Sequence, residues 1–474
     1  MKKTAAWHEL AWKAVRVLKD DGIIRLFIVL KHYLFGMERP EGGLSKFTPS
    51  SGTLKKWRKS SRSFPYRPKI SILLPIGSGN PQRLGATVDS VLNQAYDRWE
   101  LCMAVDGAAQ PYASELIDSY TKKDGRIRFQ LFDRPLCVSD LSNAAIAMAT
   151  GEFCGFLNPG DELTLSALYE VVHLLNINKT READFIYSDE VLLDESGEPV
   201  QTLYRTDFSM DYLLSHCYIG HFSLVRTDLL HKIGGFRSEL DASREYDLFL
   251  RIASETKEVG HIPKILYLRR QQDAHAGDAP SSEVMVADQR AIRDFLEREG
   301  IDAEVHAAEH AHFFRVQRRI IGNPKISIII PTKDRVDLLK RCIRSIEEKT
   351  LYRNYEVIIV DNASRQADTL EFLAHLQCRS PIYRVVSFTE AFNFSRLNNV
   401  AVRCAVGEHL LFLNNDVEVI TPGWLEAMLE HSQRDEVGCV GAKLLYPDGK
   451  IQHVGVLIGM YGGADHIYKG HDSD

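Results

Sequence analysis

The chain has 474 residues, of which 45% are hydrophobic and 26% charged; this predicts two or three soluble, full-cored domains and excludes a fibre or a disordered chain. Its net charge of −6 divides into +10 over residues 1–67 and −16 over the rest. A basic arm with no basic stripe continuing into the domains excludes general nucleic-acid binding and favours an anionic membrane surface as partner. Eight scattered cysteines with no Cys-x-x-Cys pair exclude a zinc or disulfide framework and indicate a reducing, cytoplasmic compartment.

In chain order, the arm (residues 1–67) comes first and is read as helical. Its apolar run Ile23–Leu30 is interrupted by Arg25 and closed by Lys31, far short of the ~20 residues a spanning helix needs. No small-residue cleavage site follows. The run is either a helix packed on the first domain or one lying in the membrane interface, on the inner face of the plasma membrane.

The next feature is an internal repeat. Pro68-Lys69-Ile70-Ser71-Ile72 recurs 256 residues later as Pro324-Lys325-Ile326-Ser327-Ile328, and Asn143, Gly151 and Phe156-Leu157-Asn158 recur at the same offset as Asn399, Gly407 and Phe412-Leu413-Asn414. Asp106 and Asp361 are 255 apart. In the first copy the run Ile70–Leu74 predicts a buried strand, Leu84, Val88, Val91 and Leu92 a helix, and Leu101–Val105 another strand. This rhythm predicts an α/β fold with a mostly parallel sheet in each copy. The copies span 68–270 and 324–474. Between them, 271–323 reads as a linker with a polar start, a helix through Ile292, Phe295 and Leu296, and an extended Phe313–Ile320.

Ligands collect at the carboxyl ends of strands in such sheets. Asp106 and Asp361 end apolar strands and can accept hydrogen bonds from a base or ribose; each also suits a turn or helix cap. Asp161 and Asp416 follow the next apolar strands, and one such carboxylate is enough to hold Mg²⁺ or Mn²⁺ on a diphosphate. In the first copy alone, Gly234-Gly235-Phe236 precedes Arg244-Glu245-Tyr246-Asp247, a helix start whose acid can serve as a general base.

These motifs, with Tyr187-Ser188-Asp189-Glu190, Ile219-Gly220-His221 and Gly441–Gly449, resemble the family 2 glycosyltransferases of GT-A fold, especially the tandem proteins of bacterial O-antigen, rhamnan and capsule assembly. The resemblance implies inverting transfer of a sugar from a nucleoside-diphosphate donor to a glycan or lipid-linked acceptor. Pro75, Asp106, Pro331 and Asp361 would contact the nucleotide, and Asp161 and Asp416 the metal. Glu245 would be the base, and Asp189, Glu190, His221 and Asp247 would lie on the acceptor side. Three departures stand out. Asn158-Pro159-Gly160-Asp161 lacks two of the usual metal-motif aspartates, the base is a glutamate, and Ile76–Asn80 replaces the usual nucleotide-contacting residues. The second copy, 151 residues long, is expected to be incomplete and to lack a base segment. A sugar-nucleotide-binding scaffold with decayed sites is the alternative. A nucleotidyltransferase is disfavoured because no glycine-rich phosphate loop follows the first strand.

Overall fold

The computed structural model describes residues 49–77, 83–177, 182–270, 282–458 and 463–473. The run Ile23–Leu30, the loop residues Ser78–Asn80 and the polar start of the linker lie outside them. The described residues form two compact units, 49–316 and 317–473.

The first unit opens with helix α1 (Ser51–Ser61), whose N-terminus is capped by the Ser50 hydroxyl. Trp57 of this helix stacks on Tyr169. Strands β1 (Ile70–Ile76) and β2 (Trp99–Val105) are buried along their whole length, as continuous apolar runs require in a sheet covered on both faces. Helix α2 (Leu84–Leu92) joins them, burying Leu84, Val88 and Val91. Next come α3 (Gln110–Thr121), β3 (Ile127–Leu131), α4 (Val138–Met148), β4 (Phe153–Phe156), β5 (Glu162–Leu163) and α5 (Ala167–Leu175). The unit continues with β6 (Phe185–Leu193), β7 (Pro199–Leu203), α6 (Met210–Ser215), β8 (Ser223–Arg226), α7 (Thr227–Lys232), a 3₁₀ segment Ser238–Ser243, α8 (Arg244–Glu255) and β9 (Val259–Arg270).

Strand order is β3-β2-β1-β4-β8-β6-β9-β5, with β7 beside β6. The first four strands are parallel, so their carboxyl ends share one edge. Strand β8 runs antiparallel to β4 and β6. Apolar layers cover both faces of the sheet, one including Leu84, Val88 and Leu168, the other Leu141, Phe236 and Leu248. The helix expected in the linker, α9 (Ser282–Arg298), buries Ala291, Ile292, Phe295 and Leu296 in the second layer. It therefore belongs to the first unit's core, followed by the hairpin β10 (Ala303–Ala307) and β11 (Phe314–Arg318).

The second unit contains β12 (Ile326–Thr332), α10 (Val336–Lys349), β13 (Tyr355–Asp361), α11 (Ala367–Arg379), β14 (Tyr383–Ser387), α12 (Phe394–Val402), β15 (His409–Phe412) and α13 (Trp424–Ser432). Its order β14-β13-β12-β15, all parallel, repeats that of β3-β2-β1-β4. A buried latch is repeated as well. The Ser71 hydroxyl donates to Glu100 (2.6 Å) and accepts from Gly151 N (2.9 Å); Ser327, Glu356 and Gly407 do the same at the same distances. A Cβ on Gly151 would stand 2.6 Å from Lys69 O, and one on Gly407 2.6 Å from Ser327 N. Backbone proximity explains both glycines.

Beyond β15 the units differ. Strand β4 is covered by β8, whereas among the described residues β15 is an edge strand. Leu410 and Phe412 are 41% and 53% exposed, while Cys154 is fully buried and Phe156 packs edge-on against Phe236. Among the described residues, α13 is followed by two short hairpins, β16 (Leu444–Leu445) with β17 (Ile451–His453) and β18 (Val456–Ile458) with β19 (Ala464–His466).

Candidate functional site

The parallel register places Pro75 beside Ala104 and Ile76 beside Val105, and Asp106 N donates to Ile76 O (3.0 Å). Pro75 and Asp106 are thus neighbours at the carboxyl edge. On β12 and β13 Pro331 lies beside Val360 and Asp361 beside Thr332, so Asp361 ends its strand one residue earlier in register than Asp106, and Asn362 N makes the matching bond to Thr332 O (2.9 Å). Both aspartates are buried and make the same local bond: Asp106 accepts from Ala109 N (2.8 Å) and Asp361 from Ser364 N (3.0 Å). Each therefore closes the turn that follows its strand, the capping role that its residue type also permits.

Asp161 follows β4 at the same edge as Asp106. It is 4% exposed, and both carboxylate oxygens are engaged, one by the Tyr267 hydroxyl (2.6 Å) and the other by Arg270 N (2.8 Å). Burial pushes its carboxyl above the usual range despite those bonds. A metal on a diphosphate needs a carboxylate oxygen open to the cleft, whereas Asp161 is buried and each of its oxygens already accepts one bond from the protein. These bonds fasten the loop after β4 to the end of β9. Asp416 is exposed in the turn after β15, beside Asn415, whose amide donates to Thr332 (3.1 Å). Among the described residues, no three His, Cys, Asp or Glu side chains form a metal-binding group.

The four residues expected on the acceptor side separate into three places. Glu190, on β6, is fully buried and accepts from Arg205 (2.8 Å), His221 N (2.9 Å) and His221 Nδ1 (3.0 Å). Burial alone would raise its carboxyl, but His221 and Arg205 hold it at about 2. His221 stacks on Tyr267 with centroids 5.9 Å apart, and its Nε2 faces Glu245 Oε2 at 4.0 Å. Glu190, His221, Glu245, Tyr267 and Asp161 therefore form one contiguous cluster. Asp189 lies elsewhere: it accepts from Arg205 N (2.9 Å) and pairs with His261 (3.2 Å), which also pairs with Asp207. Successive strand residues point to opposite faces.

Asp247 occupies the third place. It is 1% exposed and is bonded to Arg251 (2.9 Å) and Arg237. Arg251 in turn donates to Ile233 O (2.8 Å) and Gly235 O (2.6 Å). The pair anchors the Gly-Gly turn instead of facing an acceptor. Asn143 of α4 clasps the same turn, donating to Phe236 O (2.9 Å) and accepting from Phe236 N (2.8 Å). Gly235 has φ +68°, and an added Cβ would stand 2.4 Å from Asn143 Oδ1. These contacts fix the start of α8, where Glu245 sits in the first turn with its side chain 28% exposed. Tyr267, Arg205 and Arg269 complete the cluster and were not singled out from sequence; an aromatic-basic run ending β9 was the available signal.

The glycosyl transferase family 2 profile matches residues 71–234 and 327–464. Together these stretches make up more than half of the chain, which belongs to glycosyltransferase family 2. It is 36% identical over 404 residues to the O-antigen biosynthesis protein RfbC of Myxococcus xanthus, covering 85% of this chain and 31% of that protein. An uncharacterized protein of Sinorhizobium fredii is 36% identical over 411 residues, covering 85% of this chain and 45% of its own. The chain thus spans less than half the length of these two relatives. Among solved structures, Staphylococcus aureus TarS 1–349 in complex with UDP aligns at TM-score 0.38 and 15% identity, over 49% of this chain and 71% of that one.

Proposed function

We propose that the first unit is an inverting glycosyltransferase that moves a sugar from a nucleoside-diphosphate donor to a hydroxyl of a glycan or lipid-linked acceptor in cell-surface polysaccharide assembly. Family membership supports the activity class, and the likeness to an O-antigen biosynthesis protein supports the setting. The observation that carries the residue assignment is Glu245, a part-exposed carboxylate at a helix start, backed by the pair of half-buried His221 and fully buried Glu190. Asp106 and Pro75 would receive the nucleotide at the strand edge. Glu245 would take the acceptor proton as the hydroxyl attacks the anomeric carbon.

A bound Mg²⁺ or Mn²⁺ would supply positive charge to a diphosphate. Asp416, exposed in the second unit, and Asp161, turned from Tyr267 and Arg270 toward the cleft, are the residues that would hold it. The first unit would lie against anionic membrane through α1, whose Lys55, Lys56, Arg58 and Lys59 are exposed, with Arg62 just beyond it. The test of the central reading is release of nucleoside diphosphate from UDP-, dTDP- and GDP-sugars in the presence of candidate acceptors. Acceptor-dependent release that Glu245→Gln removes supports it; release from none of the donors contradicts it.

A further inference from the structure

Glu190 and His221 are more elaborately built than acceptor contacts require. Glu190 is fully buried, and its carboxylate takes the His221 main chain and ring together. A carboxylate only accepts hydrogen bonds, so the proton between them sits on His221 Nδ1. That leaves Nε2 as the ring's acceptor, and Nε2 is the atom that faces Glu245, 4.0 Å away. Stacking on Tyr267 holds the ring plane, and Tyr267 is itself fastened to Asp161. The imidazole is thus fixed in tautomer and orientation, with its free nitrogen directed at the proposed base.

We infer that His221, clamped by Glu190, is a positioning residue that receives through Glu245 the proton lost by the acceptor. This rests on the reading of Glu245 as the base. In the step, the acceptor O–H bond breaks and its electron pair forms the bond to the anomeric carbon. The anomeric carbon–diphosphate bond breaks, and that pair leaves on the diphosphate oxygen. The proton moves to a Glu245 oxygen and on to His221 Nε2, giving an imidazolium between two carboxylates, and later passes to water. A small rotation of Glu245 closes the 4.0 Å gap, since such contacts are often long before substrate binds.

The groups facing the ring come from every neighbouring element. Glu190 on β6 and Glu245 on α8 favour the cation, and Arg269 on β9 opposes it. Arg205 neutralises part of Glu190, and Asp161 stands behind Tyr267. Burial disfavours the cation most, yet the two glutamates outweigh it and His221 titrates above its ordinary value. An imidazole poised in this range is a better final proton holder than a carboxylate.

The test follows the histidine Cε1–H signals of the whole protein through pH 5–9 by NMR, with His221→Gln identifying the His221 resonance. Its midpoint should lie above 6.5, and Glu245→Gln and Glu190→Gln should each move it down, because each removes a facing anion. A midpoint unmoved by Glu245→Gln overturns the inference, whatever the activity. In parallel, acceptor-dependent turnover of whichever UDP-, dTDP- or GDP-sugar the wild type uses should fall as pH drops through the His221 midpoint. His221→Gln should lower the rate at pH 8 by about 10- to 100-fold and abolish that fall, while donor binding and melting temperature stay close to wild type. An unchanged pH profile in His221→Gln, with Glu245→Gln inactive, overturns the relay alone; wild-type turnover by Glu245→Gln instead overturns the base assignment.

Discussion

Asp106, Asp161 and Asp247 show how one residue type serves different ends. All three are buried aspartates, and each spends its carboxylate on fastening backbone: the turn after β2, the end of β9, and, through Arg251, the Gly-Gly turn. Glu245 alone among the candidate acids of the first unit is part-exposed beside an imidazole. Asp247 was legible as helix-start chemistry but not as a buried anchor. Two positions along a helix turn about 200°, so Glu245 and Asp247 cannot share a face, and the packing partner Arg237 decides which one turns inward. The role of Asp161 was illegible because its partners Tyr267 and Arg270 lie more than 100 residues away. At this scale the repeat supplies its own control. Asn143→Ala removes both bonds to Phe236 and should cost about 1–3 kcal/mol. Asn399, its exposed counterpart, faces no Gly-Gly-Phe turn in the second unit, and Asn399→Ala should change stability by less than about 0.5 kcal/mol. Denaturant melts of the two variants test this; equal losses would contradict it.

Among the elements, the βα rhythm of each copy was readable because continuous apolar runs bounded by turns have few other uses. The strands β1, β2, β12 and β13 and the helix α2 fall where the apolar spacing predicts. Less readable was α9, whose apolar face is periodic but whose destination depends on α8. The repeated latch also joins elements. Burial alone would raise Glu100, but Lys69, Ser71 and Thr150 hold it at about 2, below the 4.5 it has unfolded. The sign follows: this contribution is complete above pH 4.5 and is lost as pH falls toward 2. Glu100→Gln lacks it throughout. Unfolding free energies of wild type and variant from urea melts should therefore differ by about 2–3 kcal/mol at pH 7, with the gap narrowing below pH 4.5 and closing only as pH falls through about 2. A gap that stays constant with pH would contradict the latch's ionised state.

For the whole molecule, two units share four strands and their order but not what surrounds them. The second presents an edge at β15 where the first is closed by β8, with the acidic helix α8 beyond it. The charge asymmetry of the chain is a further whole-molecule feature, and among the described residues no helix is long and apolar enough to cross a membrane. Cosedimentation with liposomes should require anionic lipid and weaken in about 0.5 M salt, where the screening length falls to roughly half its physiological value. Each of Lys55, Lys56 and Lys59 changed to Ala should cost roughly fivefold in affinity; equal binding to neutral liposomes would contradict a membrane-facing arm.

On this reading, chemistry resides in the first unit, at Glu245. Transfer needs donor, acceptor and base around one cleft. The described residues of the first unit supply a candidate for each, whereas those of the second supply Asp361 and Asp416 without an acidic helix. The most direct measurement is acceptor-dependent sugar transfer by Glu245→Gln and Asp416→Asn, compared with wild type at equal concentration alongside calorimetric donor binding. Glu245→Gln should lose about 10²–10⁴-fold in transfer with donor binding retained, and Asp416→Asn should transfer at close to the wild-type rate. Inactive Asp416→Asn with active Glu245→Gln would contradict the placement of the chemistry at Glu245.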